Sequence, residues 1–401
     1  IGCYRMKEPS WTADPLSYLI DSVSNEVFFA QHYEQEALIC AHNNPNHFAE
    51  LLSISRIDEI ITSSELPPAS LDMARKEPDI NRSYFTFKNG SIDRGAVMRH
   101  YQQGATIILN QLHLADETLA NFSRALETLF SSHVQTNIYL TPPNSQGFKT
   151  HYDDHDVFIL QIAGEKQWRL YQKPIENPYR GEKFKSGEYD AGEIEKEITL
   201  KAGDCIYIPR GLMHDAESHA DETSLHITVG LIVKKWADLM LEAMSEVALR
   251  NPKFRRSIPP GFAREDFDML KAEQTFNELI DEFKIEANFD EIFEFFKESF
   301  IRLRKPDLRG GILEASKAIK SSDSFIRRAN SQALLKKDEK EAIIVCGGGN
   351  VHFDVEAYSG LKKALSGEPI SIADFKELEP VKAEDAIRKL SAFGLIKRKA
   401  S

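Results

Sequence analysis

The sequence predicts an α+β chain built around a double-stranded β-helix, a jelly roll of antiparallel strands. Three observations carry this expectation. Short β-branched and aromatic runs, broken by Gly, Pro and Asn, crowd the stretch from about Tyr84 to Val233. Amphipathic helical stretches replace them afterwards. Two histidine-bearing segments lie several strands apart, as ligands to one metal would in such a barrel. The chain has 401 residues, 42% of them hydrophobic, enough for two or three domains at roughly 150 residues each. The expected division is 1–233 for the β-helix with an N-terminal helical elaboration, 234–335 for a helical domain, and 336–401 for a winged-helix-like unit.

Residues up to about 85 read as mixed and mostly helical. "DPLSYLI" is a capped helix start with Asp14 before Pro15, and "NHFAELLSISRIDEIITSSEL" has helical periodicity. The strand-like runs are "YFTF", "TIILN", "VQTNIYLT", "DVFILQIAG", "KQWRLYQ", "EKEITLKAGDCIYIPRG" and "LHITVGLIV". One helix interrupts them, "ADETLANFSRALETLFSS", with Leu119, Phe122, Leu126 and Leu129 at helical spacing. "KKWADLMLEAMSEVALRN" and "FDEIFEFFKESFIRLRK" are amphipathic helices with broad apolar faces, including Trp236, Leu239, Leu241, Met244 and Val247 on the first and Phe289, Ile292, Phe293, Phe296 and Phe300 on the second. Such faces predict a homodimer. "EAIIVC-GGGN-VHFDV" reads as a hairpin across Gly347 to Asn350, followed by short helices.

The net charge of −12 argues against broad nucleic-acid or anionic-membrane binding. Acids about balance bases in the terminal unit, so a protein-docking or structural role is expected there rather than DNA binding. Cys3, Cys40, Cys205 and Cys346 are scattered with no C-x-x-C pair, which predicts reduced thiols in a cytoplasmic protein. No apolar run approaches the roughly 20 residues of a membrane-spanning helix.

Chemistry concentrates in "GFKTHYDDHDVFILQ", residues 147–161, where two His and three Asp precede an abruptly apolar run. Residues i and i+2 of a strand share a face, so His151 and Asp153 are expected to project together, with Tyr152 opposite. "GDCIYIPRGLMHDA" supplies a second histidine, His214, at the start of a later strand. Two His and one carboxylate leave open positions for substrate and dioxygen on Fe(II). The pattern His-x-Asp/Glu recurs at His32–Glu34, His219–Asp221 and His352–Asp354, so the pair alone is a weak signal. Only His151–Asp153 has the glycine- and proline-punctuated histidine segment downstream. His155 shares the face of Asp153 if the strand continues, and a supporting or surface role is expected for it rather than a fourth ligand.

An Fe(II) oxygenase usually draws two electrons from 2-oxoglutarate, whose distal carboxylate needs a buried cation and polar donors. In "GEKQWRLY" Lys166 shares a strand face with Trp168. A strand lysine ordinarily points to solvent; the tryptophan beside it favours a pocket. Asn137 and Tyr139 alternate in the same way on "TNIYLT" and are either pocket donors or ordinary satisfied strand ends.

The combination of "NIYLTPPNSQGF", "HYDDHDVFILQIAGEKQWRLY", "GDCIYIPRGLMHDA" and "LHITVG" resembles the JmjC-domain ribosomal oxygenases, cupin-fold protein hydroxylases, over about residues 100–230. That resemblance implies Fe(II) held by His151, Asp153 and His214. It implies 2-oxoglutarate held by Lys166, with Asn137 and Tyr139 near cosubstrate and substrate and Thr228 on the strand closing the pocket. It further implies dioxygen as co-reactant, a ribosomal protein as substrate, hydroxylated on Arg or His, a helical dimerisation segment and a terminal winged helix. Gly230 departs from the pattern, since a small polar residue is expected there. A JmjC-type demethylase, a tRNA or small-molecule hydroxylase, and a non-catalytic metal-binding cupin remain open readings of the same residues.

Overall fold

The computed structural model describes residues 9–145, 149–218 and 221–399. Two compact units emerge, 1–233 and 234–401.

In the first unit, helices α1 (Pro15–Leu19), α2 (Asn25–Val27), α3 (Ile54–Ser63), α4 (Arg94–Gln102) and α5 (Glu117–Phe130) surround two antiparallel sheets. Asp14 caps α1 by accepting from the Ser17 N–H, with Pro15 at the first helical position, as the sequence predicts. Only the second half of the expected helix at 46–66 is helical, because Ser53 caps a new start and accepts from the Arg56 N–H.

The strands are β1 (Leu38–Cys40), β2 (Leu71–Ala74), β3 (Thr106–Leu109), β4 (His133–Thr141), β5 (Asp156–Ala163), β6 (Glu165–Leu170), β7 (Lys196–Lys201), β8 (Cys205–Ile208), β9 (His214–Glu217) and β10 (Ser224–Ile232). One sheet runs β1-β8-β5-β10-β4-β3-β2 and the other β7-β6-β9. The run "YFTF" is not a strand: Arg82–Tyr84 is a 3-10 turn, and Thr86 makes a single bridge to Ile92. β1 and β2, in the stretch read as helical, take the two outer positions of the large sheet.

β5 and β10 are buried nearly throughout, so their two faces serve two cores. Phe158 and Leu160, with Leu225, Ile227, Val229 and Leu231, pack towards the helices. Val157 and Ile159 face Trp168, Leu170 and Leu200 of the small sheet. The alternate residues of β10, His226, Thr228 and Gly230, therefore look into the barrel. Burying a large apolar side chain contributes about 1.5–3 kcal/mol, so this two-sided packing makes the sheet a stiff platform.

The second unit contains α6 (Trp236–Arg250), α7 (Met269–Glu286), α8 (Phe289–Leu303), α9 (Gly311–Ala315), α10 (Tyr358–Ser366) and α11 (Pro380–Ala392). Its strands are β11 (Phe325–Arg327), β12 (Ala333–Lys337), β13 (Glu341–Cys346), β14 (Gly349–Asp354) and β15 (Ile396–Arg398). The hairpin turn is tighter than expected: Cys346 pairs with Gly349, so only Gly347 and Gly348 turn, and Gly348 takes φ +92. The expected division at 335/336 falls inside β12, and β11 pairs with β15 near the chain end. Not all of the anticipated apolar face is free. Leu239 and Ile292 are buried where α6 meets α8, and Val247 and Phe300 are also buried.

No described helix is long and apolar enough to cross a membrane. Cys40, Cys205 and Cys346 are buried free thiols, while Cys3 lies outside the described residues.

Candidate metal centre

His151, Asp153 and His214 converge, with one ligand atom from each lying within 4.8 Å of the others. They do so by a route the sequence does not suggest. His151 is not within a strand; it forms an isolated antiparallel bridge with His214. Two backbone hydrogen bonds close that bridge, His151 N–H to the His214 carbonyl at 3.0 Å and His214 N–H to the His151 carbonyl at 2.7 Å. Asp153 sits on the irregular segment before β5, where its carbonyl accepts from the Gly211 N–H at 3.0 Å. Its Oδ2 lies 3.6 Å from His214 Nε2.

Both imidazoles are presented the same way. His151 Nδ1 donates to the Lys149 carbonyl and His214 Nδ1 to the Leu212 carbonyl, each at 2.9 Å. A ring nitrogen facing a carbonyl carries the proton, so each Nε2 keeps a lone pair for a cation. Burial, with His151 beside it, pushes His214 down to about 4, which keeps that ring neutral and able to ligate. Ligands at about 2.1 Å from one ion stand roughly 3 Å apart, so this set needs only a small closure to hold a divalent metal.

A carboxylate outside the triad ties the two histidine segments together. Asp215 is buried and accepts from Thr150 Oγ1 at 2.7 Å, Tyr171 Oη at 2.7 Å and Arg169 Nε at 2.8 Å. Burial works to raise its pKa, but these hydrogen bonds outweigh it and the net shift is downward. Thr150 and Asp215 are the chain neighbours of His151 and His214, so the clamp restrains both ligands.

A cavity of about 100 Å3 lies beside the triad and contains Lys166, Asn137, Tyr139 and Thr228. Lys166 points inward, 5% exposed, against the ordinary expectation for a strand lysine. Its Nζ donates to Thr141 Oγ1 at 3.1 Å, and among the described residues no carboxylate stands within ion-pair distance. Burial alone pushes the amine down to about 7. Trp168 Nε1 and His226 Nδ1, buried in the same cavity, have no protein hydrogen-bond partner. Each orphan polar atom costs about 1–3 kcal/mol, a cost that an acceptor-rich anion would remove. Sequence reasoning missed His226, which stacks on Tyr139 at 4.8 Å and is held well below its usual pKa by burial and by Lys166. The signal was present, since His226 and Thr228 share one face of β10. Asn137 Oδ1 accepts from the Gln111 N–H at 3.0 Å, so part of its capacity is already used.

The rival His-x-acid pairs go elsewhere. His352 Nδ1 donates to Glu341 at 2.9 Å on the exposed face of a hairpin. His32 lies in a π-helical turn after which Glu34 takes φ +63. His219 lies outside the described residues, as do Gly147 and Phe148 of the motif segment. His155 is not within the triad, but lines the same cavity.

Outside the triad a groove of about 790 Å3 shares His151 and Asp153 with the inner cavity. Arg75, Lys76, Lys149 and Lys183 line it together with Asp79 and Asp154. The acidity of the whole chain does not extend to this mouth.

The family model "JmjC domain" matches residues 108–239. The chain is 31% identical over 261 residues to the bifunctional lysine-specific demethylase and histidyl-hydroxylase NO66 of Drosophila simulans, covering 61% of this chain and 30% of that protein. Against the Dictyostelium discoideum protein of the same name it is 31% identical over 259 residues, covering 62% of this chain and 50% of the relative. The chain thus spans between about a third and a half of these relatives. It also resembles the solved structure of YcfD, a ribosomal oxygenase from Escherichia coli in complex with cobalt and 2-oxoglutarate, with TM-score 0.54 and 17% identity over 94% of this chain and 99% of that one. At that identity the likeness establishes the fold: a JmjC, cupin-type arrangement of antiparallel sheets.

Proposed function

We propose that this chain, whose residues 108–239 match the JmjC domain, is a ribosomal oxygenase: an Fe(II)- and 2-oxoglutarate-dependent dioxygenase that hydroxylates an Arg or His side chain of a ribosomal protein. The observation that carries the reading is Lys166: a buried amine beside a two-His-one-carboxylate set, without an anionic partner among the described residues. A purely structural metal site has no use for such a cation.

His151, Asp153 and His214 are the residues proposed to hold the metal. Lys166, Thr228, Asn137 and Tyr139 are proposed to hold the keto acid. When bound, iron, 2-oxoglutarate and dioxygen supply the oxidising power that puts one oxygen atom into a C–H bond, the keto acid leaving as succinate and CO2. The chain's own residues do the rest. Lys166 donates to the distal carboxylate at the closed end of the cavity and so fixes which end of the acid faces the triad. The apolar walls, Ile159 and Trp168, exclude water that would divert the oxidant. The outer groove aligns a protein segment so that one side chain reaches past Asp153.

The test is succinate release by the purified chain with Fe(II), 2-oxoglutarate and extracted ribosomal proteins, paired with mass spectrometry of those proteins. Succinate coupled to a 16 Da gain on one residue supports the proposal. Turnover with formaldehyde release and loss of a methyl group would instead identify a demethylase.

The finer assignments belong to the same proposal. A homodimer through the helical segment is supported by Trp236, Met240 and Leu241 on α6, by Phe289 and Phe293 on α8, all exposed, and by α7, which buries none of its residues. Light scattering at low micromolar concentration should give twice the monomer mass, and a clean monomer refutes the dimer. The strands and helices after Phe325 are proposed as a winged-helix-like protein-docking unit that does not bind nucleic acid, in a cytoplasmic protein.

A further inference from the structure

Glu34, the acid of the His32–Glu34 pair, is not in the triad, yet two segments tie it to the metal ligands. It takes φ +63, an uncommon conformation for a residue with a side chain. Its backbone is held from both sides: the N–H donates to Tyr207 Oη at 2.8 Å, and the carbonyl accepts from Lys173 Nζ at 3.1 Å. Its carboxylate accepts from Arg210 Nη1 at 2.8 Å. The same nitrogen donates to Asp156 Oδ2 at 2.7 Å, while Asp156 Oδ1 accepts from Tyr207 Oη at 2.8 Å. Asp156 is wholly buried and Arg210 is 4% exposed.

Burying such a pair costs desolvation that its own attraction hardly offsets, so stability is a weak reason for it. Its place in the chain supplies a better one. Asp156 opens β5, shortly after Asp153, and Arg210 lies in the turn between β8 and β9, shortly before His214. The Gly211 N–H of that turn also donates to the Asp153 carbonyl at 3.0 Å. The turn is therefore fastened to the approach to β5 twice, by backbone at Asp153 and by side chain at Asp156. It has no slack on its other side, since a Cβ on Gly211, at φ +84, would stand 2.2 Å from the Ile175 carbonyl oxygen. Tyr171 and Gln172 hold Met213, the residue before His214, by backbone hydrogen bonds, and Lys173 carries that connection back to Glu34.

We propose that Glu34 is a positioning residue for the metal centre, acting through Arg210 and Asp156 to set the separation of Asp153 from His214, which is 3.6 Å between Oδ2 and Nε2. Ligands of one ion stand closer than that, so a frame that keeps the two near contact favours the metal-bound geometry. This rests on the proposal that the triad holds a metal. Glu34 precedes the segment 108–239 that matches the family model, so the affinity of the centre is set in part from outside the family pattern.

The test titrates the full metal-free chain with Co(II), followed by the visible cobalt bands, alongside the melting temperature of the metal-free protein. Glu34→Gly removes the carboxylate while suiting the left-handed backbone. It should weaken Co(II) binding roughly tenfold, the lower end of what the partners of metal ligands contribute, and alter the intensity of the bands. Glu34→Gln keeps an acceptor for Arg210 without the charge and should fall between Glu34→Gly and the wild type. Ser53→Ala is the control: it removes the cap of α3, touches neither ligand segment, and lowers stability alone. Its Co(II) affinity should stay within about twofold of wild type. Wild-type affinity in Glu34→Gly overturns the inference, and so does an equal loss in Ser53→Ala. Should Glu34→Gly not fold, Glu34→Gln decides, and an affinity equal to the wild type's overturns the inference. A wild type that holds no Co(II) overturns the metal site and the inference together. A wild type that holds it, with the expected loss in Glu34→Gly, but releases no succinate sinks the oxygenase proposal alone.

Discussion

The two ends of the candidate site are made of different material. The closed end is strand: Lys166 and Trp168 on β6, Thr141 on β4 and His226 on β10, all below a tenth exposed. The open end is loop and turn, with Lys149, Asp154 and Lys183 on irregular segments and Tyr84 59% exposed at the rim. The proposed cosubstrate is a small dianion, the same in every turnover, and can be met by fixed, desolvated groups. On the proposed function a protein segment would enter and leave, and its contacts would sit where the backbone can yield. The triad stands between the two and borrows from both, with His214 starting a strand and Asp153 on the irregular segment before β5.

The largest expected effect lies at the boundary. Asp153→Ala removes one of three protein ligands, and turnover dependent on Fe(II) should fall at least a hundredfold, with Co(II) binding lost and the metal-free melting temperature little changed. Unaltered turnover would break the assignment of the triad.

The next effect sharpens the closed end. Lys166→Ala deletes a charge-assisted hydrogen bond of about 1.5–3 kcal/mol, so the apparent affinity for 2-oxoglutarate should drop roughly ten- to hundredfold with Co(II) binding spared. Loss of metal binding in that variant would make Lys166 a structural residue.

The same lysine predicts a pH dependence. An unfolded amine titrates near ~10.4, while in the folded chain burial holds Lys166 at about 7. Between those values the folded state binds fewer protons, so the metal- and ligand-free protein should gain stability as pH rises from 7 towards 10. Ligand binding has the opposite sign, because the distal carboxylate needs the charged amine. The dissociation constant for 2-oxoglutarate should be flat below about pH 7 and rise by up to roughly tenfold per unit above it. Lys166→Arg keeps the charge and should flatten the profile; calorimetric titration of both proteins from pH 6 to about pH 9 decides it.

The smallest effect belongs to the open end. Tyr84→Ala removes an exposed ring worth about 0.5–1.5 kcal/mol in contact with a partner. The KM for a protein substrate should rise two- to tenfold by that measure, with uncoupled 2-oxoglutarate turnover unchanged. A change confined to the uncoupled reaction would erase the contrast between the two ends.

How much of this was legible in the sequence follows the same physics. Lys166 and Trp168 could be read because a strand repeats every two residues, and the structure turns both inward. His214 could be read because glycine and proline punctuate the segment before it. The Asp215 clamp could not: its donors Thr150, Arg169 and Tyr171 lie on other segments, and nothing local to Asp215 announces a partner. The bridge between His151 and His214 was equally hidden, since a single pair of backbone hydrogen bonds has no period. β1 and β2 are three and four residues long, defined by the strand they join rather than by their own pattern. α7 escaped because none of its residues is buried, which leaves its apolar positions without a clear stripe.

The outer positions of β1 and β2 bear on how the protein can be cut. Residues 38–40 and 71–74 close opposite margins of the seven-stranded sheet, although both precede the segment 108–239 that carries the family pattern. A fragment trimmed to that pattern would leave β8 without its neighbour on one margin and lose β2 and half of β3 on the other. Rows of unmet N–H and C=O groups on long, flat, apolar strands recruit other chains. The residues outside the family pattern thus cover sheet margins that a trimmed fragment would leave open to other chains.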